Sequence, residues 1–216
     1  MPADFEAQRE AMITRQLRAR GIHDARLLDA VRRIPREEFV ADEWRDYAYR
    51  DEPVPIGFGQ TISQPYIAAV MVQTLQLEGH ETVLDVGSGS GYHAALLGAL
   101  AARVVSIERI PELTDFARAN LERAGITNVI VVTGDGSKGY APAAPYDAIS
   151  VAAAAPDIPP ALYEQLNDPG RLVIPLGSYE DQELRVVEKR GGQIESRLVT
   201  LCRFVPLLGE QGWKRL

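Results

Sequence analysis

"LDVGSGSGYHAALL", Leu84 to Leu97, decides the fold. An apolar run stops at Asp85 and Val86, Gly87, Gly89 and Gly91 follow, and an Ala- and Leu-rich segment starts near Tyr92. That order predicts a strand, a tight turn and a helix. Glycines at such a turn let the backbone approach a ligand, and the helix amino terminus adds unpaired N–H groups and a positive dipole end. A carboxylate or a phosphate suits that place. The spacing is G-x-G-x-G, because Tyr92 stands where the dinucleotide pattern G-x-G-x-x-G has its third glycine. On these residues alone, a βα turn that binds nothing stays open beside a cofactor loop.

Downstream, RVVSIE, VIVVTG, YDAISVAA and RLVIPLG alternate with helical segments such as PELTDFARANLERAG and PALYEQL. Continuous Val, Ile and Leu runs imply strands buried on both faces. The fold class is therefore α/β, a doubly wound, mostly parallel sheet with right-handed crossovers. ELRVVEKRGGQIESRLVTLCRFVPL alternates around Gly191-Gly192 and predicts an antiparallel hairpin at the sheet edge. The strand ends carry chemistry. One ends in Glu108, 21 residues after Gly87, where an acid can accept both hydroxyl protons of a ribose. The next ends in TGDGS, where Asp135 can accept from an exocyclic adenine amine and Gly136 leaves room for the ring. Either acid alone reads equally well as a solvated strand-end cap; the three strand ends together point to a nucleoside-bearing cofactor.

Upstream, Met12, Ile13 and Leu17, then Leu27, Leu28, Val31 and Ile34, recur at helical spacing. Gly21 breaks the pattern, Asp24 can cap the second helix, and Pro35 lies at its end. Asp51 to Ser63 holds Pro53, Pro55, Gly57 and Gly59 and reads as loop, ahead of a helix with Pro65 in its first turn. The chain of 216 residues is expected to form a single domain, with 1–58 a helical flank and substrate-side loop and 59–216 the cofactor-binding core.

No apolar run approaches a membrane span, and a net charge of -7 disfavours nucleic acid as a partner bound through its phosphates. MPADFEAQRE lacks the basic and apolar parts of a secretory leader, and one cysteine cannot build a disulfide framework, so a cytoplasmic protein is expected. His23, His80 and His93 read as surface or helix residues without metal-ligand spacing, and no metal is expected. Cys202 reads as a small buried hydrophobe. RRIPREE, residues 32–38, reads as a solvated helix end, and Phe58, Tyr66 and Tyr92 as packing.

RQLRARGI, VRRIPREEFV, PIGFGQTISQP, VLDVGSGSGY, VVSIERIPEL, GDGSKGY, APYDAISVAAAAP, GRLVIPLG and RFVPLLG run nearly end to end. In them the chain resembles the Rossmann-like class I S-adenosylmethionine-dependent methyltransferases, and among these the bacterial-type protein-L-isoaspartate O-methyltransferases. PIGFGQTISQP is the most specific piece. Departures are Ala152, where the family more often has glycine or threonine, and Asp168-Pro169-Gly170, in a turn usually written Lys-Pro-Gly-Gly. The resemblance implies methyl transfer from S-adenosyl-L-methionine to the free carboxylate of L-isoaspartyl, and more weakly D-aspartyl, residues in damaged proteins and peptides. The ester then cyclises to a succinimide, whose hydrolysis returns some normal aspartate. It also implies a cofactor site of Asp85, Gly87, Ser88, Gly89, Glu108, Asp135 and Gly136, in a monomer with no membrane or nucleic-acid partner. The alternative is a class I methyltransferase of a small-molecule or nucleic-acid substrate; SVAAAAPDIPP lacks the Asn- or Asp-Pro-Pro-aromatic run of exocyclic amine methylation.

GQTISQPY, residues 59–66, holds no acid, base or metal ligand, and the chemistry explains why. A carboxylate with a pKa of about 4 is already an ionised nucleophile at neutral pH. It has to be aimed and dried, not deprotonated. A neutral hydroxyl suits that task, because Lys or Arg would pair with the anion strongly and blunt it. Ser63 is the candidate catalytic residue, as an orienter, with Gln60 and Thr61 shaping its loop. Backbone amides of Ala153 and Ala154 are further substrate-side donors by resemblance. Helix capping is the competing role for Ser63.

Overall fold

The computed structural model describes residues 4–214; Met1 to Ala3, at the start of the segment read as leaderless, lie outside them. Asp4 accepts from the Ala7 amide at 3.0 Å and caps α1 (Phe5–Met12). Further turns carry the chain to Gly21, whose φ of 92° ends them in the left-handed region that glycine tolerates best. Asp24 caps α2 (Ala25–Arg33) through the amides of Arg26 and Leu27, as its position predicts.

The segment read as loop contains a small hairpin instead. β1 (Val54–Gly57) pairs antiparallel with β2 (Gln60–Ile62) around a turn in which Gly57, Phe58 and Gly59 all have positive φ. α3 (Pro65–Leu75) follows with proline in its first turn. Next come β3 (Thr82–Val86), α4 (Tyr92–Leu100), β4 (Arg103–Glu108), α5 (Pro111–Arg123) and β5 (Val129–Thr133). β6 (Tyr146–Val151), α6 (Pro160–Glu164), β7 (Leu166–Gly177), β8 (Gln182–Arg190) and β9 (Gln193–Cys202) complete the elements.

The sheet runs β5-β4-β3-β6-β7-β8-β9. Its first five members are mutually parallel, and β8 pairs antiparallel with both β7 and β9, the expected edge hairpin. The chain turns back at β3, which has β4 on one side and β6 on the other. Open α/β sheets bind ligands above the carboxyl ends of strands at such a switch point.

α4 buries Ala94, Ala95, Leu96, Leu97 and Leu100, so it is a core helix rather than an amphipathic one. Each fully buried Leu there contributes about 1.5–3 kcal/mol. One apolar cluster joins Met12, Leu17 and Leu28 of the flank to Leu75, Val83, Leu96 and Val186. It therefore crosses the expected 58/59 division, which falls at the tip of the β1–β2 hairpin. A second cluster, with Leu84, Ile107, Ile149 and Leu172, covers the opposite face.

The run RRIPREE departs from its reading as a solvated helix end. Arg36 is 0% exposed and donates to the carbonyls of Ala48 at 2.6 Å and Ser63 at 2.7 Å. Glu37 is also buried, accepting from Arg9 at 3.1 Å and from the Tyr49 hydroxyl. Periodicity sees charge; only the fold brings those carbonyls to Arg36.

Candidate active site

The β3–α4 turn is built as its glycines require. Gly87, Gly89 and Gly91 have φ of 95°, 52° and 88°, and the Gly91 amide closes the turn on the Ser88 carbonyl at 2.7 Å. Gly91 at the N-cap of α4 has no side chain to offer, and the first helical amide, that of Tyr92, is taken by Ser90 Oγ at 3.4 Å. The cleft above the strands holds about 940 Å³ of empty space, counting the open solvent at its mouth.

Of the residues singled out from sequence, Gln60, Thr61, Ser63, Gly87, Ser88, Gly89, Glu108, Gly136 and Ala153 line this one cleft. Asp85, Asp135 and Ala154 do not. Asp85 is fully buried beneath the loop and accepts from Ser106 Oγ at 2.6 Å. Ser106 in turn meets Ser88 Oγ at 2.5 Å, so the acid orients the loop through two hydroxyls. Its Oδ1 has no partner. Burial, with the charge of Glu108 adding and the Ser106 hydrogen bond opposing, pushes the Asp85 carboxyl up to about 7.

Glu108 is already engaged. Oε1 accepts from the amides of Arg109 at 2.8 Å and Ile110 at 3.0 Å, and Oε2 from the Gly89 amide at 3.0 Å. A carboxylate offers about four lone-pair positions, so one on Oε2 stays open. Accepting both hydroxyls of a ribose requires release of one amide.

Asp135 faces the carboxyl-terminal tail. Oδ1 accepts from the amide and hydroxyl of Ser137, and Oδ2 from the Glu210 amide at 2.8 Å. Burial alone would raise its pKa, but these hydrogen bonds and Lys138 together hold it below the usual carboxylate range. Gly136 beside it is tight, since an added Cβ would stand 2.5 Å from Val86 Cγ1. The packing of Val86 and Ile107 leaves no room for a side chain there.

The tail is a part that sequence reading missed. Val205 accepts from the Ala154 amide at 2.8 Å, and Leu207 donates back to the Ala154 carbonyl at 2.7 Å. The Ala154 amide is thereby committed to the tail. Val205 to Leu208 form one wall of the cleft. Two further lining residues escaped the motifs: Arg36, and His93, whose Nε2 meets Ser150 Oγ at 2.8 Å. His93 sits on the first turn of α4, a position the glycine motif itself could have flagged. Its burial pushes the imidazole down to about 4, so it is neutral at physiological pH.

Ser63 stands where two cavities meet. Thr61, Ser63, Ala152 and Val205 line both the cleft and an adjoining groove of about 1180 Å³, open solvent included. The groove continues past Arg20, which stacks 3.4 Å from the Tyr66 ring, to Leu201 and Arg203. Gln64, not Ser63, holds the cap position of α3, and no side chain caps that helix. The Ser63 hydroxyl is thus not used for capping, while its carbonyl is fixed by Arg36. Among the described residues no cluster of acids, histidines and cysteine is arranged to hold a metal ion.

A sequence profile of the protein-L-isoaspartate(D-aspartate) O-methyltransferase family matches residues 7–212. A protein-L-isoaspartate O-methyltransferase of Methanoculleus marisnigri is 54% identical, the match covering 96% of this chain and 94% of that one. One of Koribacter versatilis is 55% identical, covering 97% and 94%. Among solved structures, a protein-L-isoaspartate O-methyltransferase superposes with a TM-score of 0.86 at 30% identity, covering 94% of this chain and 67% of that one. A Plasmodium falciparum structure in complex with S-adenosyl-L-homocysteine has a TM-score of 0.79 at 25% identity, covering 94% and 97%.

Proposed function

The chain belongs to the protein-L-isoaspartate(D-aspartate) O-methyltransferase family, and from that premise we propose how its cleft and groove divide the work of repairing isoaspartyl proteins. The enzyme transfers a methyl group from S-adenosylmethionine to the free carboxylate of isoaspartyl residues in proteins and peptides. Bound in the cleft, the cofactor supplies a methyl group made electrophilic by its sulfonium.

The observation that carries the division is the wall shared by the two cavities, with Ser63 and Thr61 on it. A peptide lying in the groove presents its isoaspartyl carboxylate to the cleft at that point. Ser63 donates to one oxygen and leaves the other free to attack; Thr61 and Gln60 shape the approach, and Ala153 closes the far side. No general base takes part, because the nucleophile arrives ionised. Rate comes from aim and from exclusion of water.

On the cofactor side, Gly87, Ser88 and Gly89 approach the amino-acid portion, with Asp85 holding Ser88 in place through Ser106. Glu108 takes a ribose hydroxyl on its open lone pair. Asp135 has one lone pair left for the adenine amine, and Gly136 leaves the ring its space.

The enzyme works as a monomer in the cytoplasm, on protein substrates and not on nucleic acid or membranes. A net charge of -7 and a single cysteine, which cannot build a disulfide framework, support that choice of partners and compartment. Among the described residues no helix is long and apolar enough to cross a membrane. The decisive measurement is tritiated methyl transfer to an isoaspartyl peptide with its aspartyl twin as control. Equal labelling of the twins, or of neither, would sink the substrate assignment.

A further inference from the structure

The peptide groove inverts the charge of the chain that builds it. The sequence carries 30 acidic against 23 basic residues, yet the groove beside Ser63 is lined, among the described residues, by Arg20 and Arg203 and by no acid. The two arginines are not equivalent. Arg20 is spent, paired with Asp51 at 2.7 Å and stacked on the Tyr66 ring. Arg203 is exposed, and among the described residues no carboxylate or carbonyl accepts from its side chain. The acid on the neighbouring strand, Glu183, stands opposite Leu201 and is held by Arg185 at 2.6 Å. Among the described residues, Arg203 is thus the free cation of a groove that holds no anion.

Position along the groove says what meets it. From Leu201 to Phe204 exposure alternates, with Leu201 and Arg203 exposed and Cys202 and Phe204 half-buried, the pattern of an extended segment. β9 ends at Cys202, and Val205, on the wall shared with the cleft, comes two residues after Arg203. Two residues of extended chain span roughly 7 Å. Arg203 lines the groove but not the cleft, so it stands off from the reacting carboxylate and beside the residues that flank it. Resting on the reading of the groove as the peptide site, we propose that Arg203 is a specificity-determining residue: it favours isoaspartyl peptides with Asp or Glu one or two positions from the isoaspartyl residue and disfavours Lys or Arg there. Leu201, 73% exposed in the same groove, gives the stem of that acidic side chain an apolar surface. The paired groups stay exposed to water, so the contact sets preference rather than competence.

Short isoaspartyl peptides with Glu, Gln or Lys placed in turn at each of the two positions on either side of the isoaspartate test this through tritiated methyl transfer. At one of those positions or more, kcat/KM is expected to favour Glu over Gln by about two- to five-fold, and Gln over Lys by a similar factor, the range of an exposed ion pair. Arg203→Gln should level the series and Arg203→Glu should reverse it. Raising the salt from about 0.05 M to about 0.5 M should shrink the wild-type preference, since screening acts on charge and not on fit. Affinity for S-adenosylhomocysteine should stay within about two-fold in both variants, which shows that they are folded. Equal rates for every peptide with the wild type overturn the inference, as does a preference that survives both substitutions. A uniform loss across the series in Arg203→Gln overturns it too, because the guanidinium would then hold the reacting carboxylate or the groove wall. Failure to label any of the peptides removes the reading of the groove, and the inference with it.

Discussion

Asp135 accepts a hydrogen bond from the Glu210 amide at 2.8 Å and so ties the end of β5 to the carboxyl-terminal tail. The tail closes one wall of the cleft, so this carboxylate is structural before it meets any ligand. Asp135→Ala strands the buried Ser137 amide and leaves the exposed Glu210 amide to water, and is expected to cost about 0.5–1.5 kcal/mol. For a chain of this size that lowers the melting temperature by about 2–4 °C per kcal/mol. The folded pKa of Asp135 is depressed, so its contribution is present above the unfolded value of about 4 and is lost as pH falls through the lower folded one. Melting curves at pH 7 and pH 3 should therefore show a penalty that shrinks in acid. A penalty that is constant or grows would remove the carboxylate from the tail's attachment.

Ser63→Ala is expected to lower kcat by about 10- to 100-fold, the worth of one hydrogen bond to a charged group. Affinity for S-adenosylhomocysteine should stay within a few-fold, since the hydroxyl is proposed to serve the substrate carboxylate and α3 does not need it as a cap. Matching losses in turnover and in cofactor binding would mean that Ser63 shapes the cleft rather than the reaction.

Three amides already sit on Glu108, so the part proposed for it in the cofactor site combines a loop anchor with one open acceptor. Glu108→Ala is expected to weaken S-adenosylhomocysteine binding by about 10- to 100-fold in calorimetry. Unchanged affinity would show that another group holds the sugar.

What the sequence disclosed follows from how local each signal is. The glycine turn, the strand ends at Glu108 and Asp135 and the Asp24 cap depend on neighbours within a few residues, and the folded chain keeps each where its spacing places it. The β1–β2 hairpin was hidden because strands of four and three residues, with Pro55 and Gly57 in one of them, have the composition of loop. Arg36 was hidden for a stronger reason. Its carbonyl partners lie 12 and 27 residues away, and no periodicity reports such contacts. The tail's grip on Ala154 and Asp135 is likewise long-range, so Asp135 read as a ligand acceptor without its second task.

Gly136→Ala should be disproportionately harmful for one added methyl. The new Cβ would fall 2.5 Å from Val86 Cγ1 and 3.4 Å from Ile107 Cγ2, both inside the core behind the cleft floor. Overpacking of this kind costs about 1–3 kcal/mol, and the floor that moves is the one proposed to face the adenine. Adenosine, which carries nothing of the amino-acid end, is the discriminating probe: its affinity should fall along with the melting temperature. Retained adenosine binding would place the ring elsewhere.

Asp85 should leave a pH signature of opposite sign to that of Asp135. Its folded pKa of about 7 lies above the unfolded value of about 3.9, so the folded chain binds the extra proton between these limits. Stability from this group is fully present below the unfolded value and is lost as pH rises through about 7. Asp85→Asn keeps an acceptor for Ser106 and deletes the titration. The difference in unfolding free energy between wild type and Asp85→Asn, from urea melts at fixed pH, should therefore move against the wild type from pH 5 to pH 8. Working with the difference cancels the slopes of the other carboxylates. A flat difference would mean that Asp85 is ionised in the fold throughout, its charge met by the Ser106 hydroxyl rather than withheld by burial.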